Sequence, residues 1–133
     1  MPDIEALAIE TEVPGRTQLT VSKRTLDLLV KMMSRGDEKI KDVDWNDFVS
    51  GMVEVGFIVS STGGSMFDFE PVEDHPLGWK GRIVFHRPHP QAKIHRIMLR
   101  AFSNRLARHF EFWEMETFVE GKKGEKRDGE EDE

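Results

Sequence analysis

No cysteine occurs in these 133 residues, which excludes a disulfide framework, a thiolate nucleophile and a cysteine-based zinc site, and suits a reducing compartment. No apolar run approaches the length of a membrane span, and the acidic N-terminus lacks the basic and apolar regions of a signal peptide. The expectation is an intracellular protein, cytoplasmic or nuclear, with no membrane partner. A glycine-rich phosphate loop, a serine elbow and a paired-carboxylate signature are also missing, and no cofactor is implied. The last absence is local: residues 79–110 contain no Asp or Glu at all.

That local absence organises what is present. The net charge of −6 divides into −8 over residues 1–78, +8 over 79–110 and −6 over 111–133. Four of the five histidines, His86, His89, His95 and His109, lie in the basic block. Such asymmetry marks an anionic partner, RNA or an acidic protein, although a domain that neutralises its own acidic half would look the same. With 38% hydrophobic residues the chain can build one domain with a core, and hardly two.

Hydrophobic period supplies the elements. Ser22 caps a first helix over residues 23–34, with Leu26, Leu29, Val30 and Met33 at helical spacing. Asp44 and Asp47 open a second helix whose stripe is Trp45, Phe48, Val49 and Met52, and Gly56 ends it in the left-handed conformation. Residues 57–59 and 66–69 form a hairpin about Thr62-Gly63-Gly64. Residues 82–86 form a third strand, stopped by Pro88-His89-Pro90. A last helix follows from Ala92 to Phe110, with Lys93, Arg96, Arg100 and Arg108 on one face. Phe67, Phe69, Ile83 and Phe85 face inward, and Met66, Asp68, Arg82 and His86 outward. The expected fold class is α+β, α-β-β-β-α, a three-stranded antiparallel sheet with helices on one face, preceded by an extra N-terminal helix. Residues 1–20 form a flexible N-terminal segment, 21–118 the domain, and 119–133 a disordered charged tail.

The motifs Trp45-Asn46-Asp47-Phe48, Gly56-Phe57, Gly64-Ser65 and Phe85-His86-Arg87-Pro88-His89-Pro90, with the arginine-rich helix after them, resemble a HicA-like domain of mainly fungal proteins. The resemblance spans about Val21 to Trp113. It implies a distant likeness to bacterial HicA toxins, which have a double-stranded-RNA-binding type of fold, cleave messenger RNA and are neutralised by an antitoxin. The Gly-Ser-His that carries their catalytic histidine reads Gly64-Ser65-Met66 here, and a thioether can serve as neither general acid nor general base.

The resemblance thus implies an RNA-binding module without that histidine. Arg82, Arg87, His89, Lys93, Arg96 and Arg100 are the expected phosphate contacts. A protein-interaction module derived from the toxin-like fold stays open beside it. So does a residual ribonuclease in which His86, oriented by Asp68, replaces the missing histidine, although the preferred reading of His86 is that it only covers the sheet face or hydrogen-bonds to the elbow. A zinc site on His86, His89 and His95 is disfavoured by the intervening proline and the lack of acidic residues. An EF-hand over 35–49 fails, since calcium needs a carboxylate at the loop's first position and glycine at the sixth, where Gly36 and Lys41 stand. No metal is expected, and the oligomeric state is left open.

Overall fold

The computed structural model describes residues 17–35 and 39–121. The expected flexible segment and charged tail fall mostly on residues 1–16 and 122–133, outside the described residues.

Among the described residues, three helices and seven strands form three separate sheets. In chain order they are β1 (Leu19–Val21), α1 (Lys23–Met33), β2 (Val43–Asp44), α2 (Trp45–Val55), β3 (Phe57–Gly63), β4 (Met66–Pro71), β5 (Ile83–His86), β6 (Lys93–Ile94), α3 (Arg96–His109) and β7 (Phe118–Glu120). This overturns the expected single-sheet α-β-β-β-α architecture and, with it, the HicA-like and double-stranded-RNA-binding likeness. The antiparallel sheet β3-β4-β5 is joined by two ribbons the expectation lacked. β1 runs parallel to β7, pairing Leu19 with Phe118, and buries Val21 and Phe118. β2 and β6 pair antiparallel, setting Val43 against Ile94, and both side chains are buried. Strands of two or three residues are too short to show a period, so sequence patterning does not reveal them.

Local chemistry explains the helix ends. The Ser22 hydroxyl accepts from the Thr25 amide at 3.3 Å, and the Ser22 amide and hydroxyl both donate to Glu54 of α2, at 2.9 and 3.1 Å. One serine therefore caps α1 and ties it to α2; such a cap contributes about 1 kcal/mol. Gly51 permits the close approach of the same two helices, since a Cβ there would lie 2.4 Å from Leu28. Gly56 ends α2 at φ 118°, and its amide donates to the Met52 carbonyl at 3.1 Å. α3 starts four residues later than the spacing predicts, because Lys93 and Ile94 are held as strand and His95 becomes the N-cap.

The core is aromatic. Phe48, fully buried, lies between Trp45, Phe69, Phe85 and Phe102, with ring centroids 5.4–5.8 Å away. A second group, Phe57, Trp79, Phe110, Trp113 and Phe118, continues it toward the β1-β7 ribbon. These rings fix the inner face of the sheet. Ile58, Met66, Arg82 and His86 are left on its open face or at its rim, exposed.

Candidate binding surface

The basic block begins in the loop before β5, runs along that strand, turns through residues 87–92 and continues along α3. The Arg87 amide donates to the Ser65 carbonyl at 2.8 Å, which prolongs the β4-β5 ladder by one pair. The bond between His89 and Pro90 is cis. The Trp45 amide donates to the Ala92 carbonyl at 2.9 Å, anchoring the far side of the elbow on the start of α2.

The expected contact residues divide into two groups. Arg82 pairs with Asp68 across the sheet at 3.1 Å. Lys93 pairs with Asp44 at 2.7 Å, and that hydrogen bond, then the charges of Asp44, Asp42 and Asp47, hold its pKa above the ordinary lysine value. Arg100 donates to the Ser34 carbonyl at the end of α1. These three cations are occupied within the molecule. The side chains of Arg87, His89 and Arg96, by contrast, have no partner among the described residues, and the same holds for Lys80 and Arg108. Lys93 stands on β6, so Lys93, Arg96 and Arg100 are not one helical face.

Between the unpaired cations lie apolar side chains. Ile97 and Met98, in the first turn of α3, are 63% and 39% exposed. His95 accepts from the Ile97 amide at 3.3 Å through Nδ1, so that helix start already has an acceptor at one of its amides.

The catalytic candidates are separated. His86 stands opposite Met66, and its Nδ1 lies 3.3 Å from the Ser65 hydroxyl. Asp68 stands opposite Val84 and is held by Arg82. Among the described residues, therefore, no carboxylate orients the His86 ring. Among the described residues no three His, Asp or Glu side chains are grouped closely enough to hold a metal ion. The three-sheet architecture and the lack of any histidine cluster overturn the RNA-binding module of HicA type, its ribonuclease alternative and the toxin-derived interaction module. No helix among the described residues is long and apolar enough to cross a membrane.

Two residues escaped the sequence reading. His75, the one histidine outside the basic block, is 5% exposed. Its Nδ1 accepts from the Leu77 amide at 3.0 Å, its Nε2 lies 3.0 Å from the Val55 carbonyl, and its ring stacks on Trp79 at 4.5 Å. Those partners require the neutral tautomer with the proton on Nε2. Burial pushes the His75 pKa down, against a smaller opposing effect of the Val55 bond. The only hint in the sequence is a histidine placed between an acidic run and Pro76. Arg105 donates to the Val84 carbonyl at 2.9 Å and lies 4.8 Å from the Phe85 ring centroid. Its place beside the apolar stripe of α3, between Phe102 and Leu106, is the signal that could have found it. No model of a known protein family, no curated protein and no solved structure matches this chain.

Proposed function

We propose that this chain is a binding module for an acidic segment of a partner protein, engaged by Arg87, His89 and Arg96 around the exposed Ile97 and Met98, with Arg108 farther along, in the last turn of α3. The observation that carries the reading is the mixture of unpaired cations and exposed aliphatic side chains on the elbow and the start of α3. An acidic peptide with interspersed apolar residues complements both kinds of group, the apolar anchors contributing affinity and the charges contributing orientation and encounter rate. RNA fits less well. Ile97 and Met98 offer no aromatic face for a base to stack on, and Arg82, Lys93 and Arg100 already have partners in the chain. An intracellular setting, cytoplasmic or nuclear, is part of the proposal and rests on the lack of cysteine.

The test is a fluorescence-anisotropy titration with a labelled peptide alternating Glu, Leu and Ser, beside a lysine peptide of the same length and a single-stranded RNA. The expected outcome is salt-sensitive binding of the acidic peptide alone. Arg87→Glu/Arg96→Glu/Arg108→Glu should weaken it at least about tenfold, the cost of opposing like charges across an interface. No binding at low salt would sink the reading, and binding of RNA alone would replace it.

A further inference from the structure

The sheet β3-β4-β5 has two edges, and the chain treats them differently. At the β5 edge the hydrogen bond from the Arg87 amide to the Ser65 carbonyl sets the alternation, so the backbone groups of Val84 and His86 turn outward. Arg105 then covers this edge, donating to the outward Val84 carbonyl. At the β3 edge the Val72 amide donates to the Gly56 carbonyl at 2.9 Å, so the backbone groups of Ile58 and Ser60 turn toward β4 and those of Val59 and Ser61 away from it. No backbone bond reaches Val59 or Ser61 from outside the sheet among the described residues.

Strand edges left open are ordinarily guarded by lysine, proline, an inward charge, a β-bulge or a covering element. Residues 57–61 of β3 carry none of the first four, and its one register shift lies at the turn end of the strand, between Ser61 and Gly63. β3 is also the longest strand of the described chain, at seven residues, whereas β1, β2, β6 and β7 have two or three. The stretch 57–67 carries no charged residue in a chain that is 33% charged. Ile58, on the open face beside this edge, is 57% exposed.

We infer that β3 pairs antiparallel with β3 of a second copy of this chain, joining two three-stranded sheets into one of six strands about a two-fold axis near Val59. A second copy fits because the edge is neutral throughout, so a two-fold axis sets no charge against its like, and each Ile58 is covered by the same stretch of the other copy. A charged partner strand would gain no ion pair here. The elbow and α3 surface takes no part in this pairing, so the inference stands apart from the acidic-partner reading.

Sedimentation equilibrium of the full chain over a concentration series should show a monomer–dimer equilibrium. Val59→Pro removes an outward amide and leaves the Ile58 and Ser60 ladder positions alone. Ile58→Lys leaves the backbone intact and sets two lysines near each other. Each should raise the dimer dissociation constant at least about tenfold, as loss of a central interface contact does. Amide exchange at Val59 and Ser61 should slow as concentration rises. If Val59→Pro does not fold, Ile58→Lys with an unchanged circular dichroism spectrum decides the matter. A monomer at every concentration, or a dimer that both variants leave unaltered, overturns the inference.

Discussion

Two histidine environments divide this molecule. Around His75 each ring nitrogen has a backbone partner, the ring is stacked on Trp79, and a Cβ on Gly56 would stand 2.6 Å from the imidazole. In the basic block, among the described residues, His86 touches one hydroxyl, His89 has no partner, and His95 caps a helix from an exposed position. The block with four histidines is the one the sequence draws attention to, yet the fully determined imidazole is the fifth. Local density of a residue type marks a surface; burial with both ring nitrogens bonded marks structure, and only the fold can show it.

The sharpest way to break the first environment is Gly56→Val. The position is left-handed, where a β-branched residue is strained, and the added side chain meets the His75 ring. Strain and displacement together should cost roughly 3 kcal/mol, read as a fall in the urea midpoint with little change in slope. An unchanged midpoint would mean that His75 can leave its seat freely.

His75→Phe keeps the ring stacked but leaves the Leu77 amide and Val55 carbonyl without their partners, a loss of roughly 2 kcal/mol. It should also change the response to acid. The folded-state pKa of His75 lies below its unfolded value, so the unfolded chain takes up the proton first. Its contribution is therefore complete above about pH 6.5 and is lost as pH falls through the depressed folded value. Protonated Nδ1 would also face the Leu77 amide donor to donor. Melting temperatures measured from pH 7.5 to pH 5 should fall less steeply in His75→Phe than in the wild type. Parallel profiles would show that His75 is not the group responsible.

The contrast also shows what could be read without coordinates. The inward placing of Phe69, Ile83 and Phe85 followed from the two-residue period, and Gly56 followed from its place after an apolar helical stripe. The ribbons did not, because Val43 with Ile94 and Leu19 with Phe118 are pairings across 51 and 99 positions, made by strands too short to have a pattern. The basic surface was legible as charge and illegible as partnership. Lys93 and Arg96 look alike in sequence, but Asp44 holds one and nothing among the described residues holds the other.

At the boundary between the surfaces, Arg105→Ala should be milder, since an exposed arginine gives up one hydrogen bond and one ring contact. The expected loss is about 1 kcal/mol. Amide exchange at Val84 and His86 should quicken in the same variant, because the β5 edge loses its cover. Unchanged exchange would remove the contrast between the β3 and β5 edges.

The smallest effect is the most informative about the binding face. Lys93 and Asp44 are both about half exposed, so their ion pair should change stability little when Lys93 is replaced by Gln. The lysine pKa is raised by Asp44, so whatever the pair contributes is complete below about pH 10.5 and is lost as pH rises through the folded value. Stability between pH 6 and 9 should then show no Lys93-dependent slope. Affinity for the acidic peptide should distinguish the two members of the pair. Lys93→Gln removes a cation already neutralised and should leave binding nearly as it was. Asp44→Asn releases that cation beside Arg96 and should tighten binding by a few-fold, an effect of one added favourable charge near an interface. If Lys93→Gln instead weakens binding as strongly as Arg96→Gln does, Lys93 leaves Asp44 when the partner arrives, and the division into held and unheld cations describes only the unbound chain.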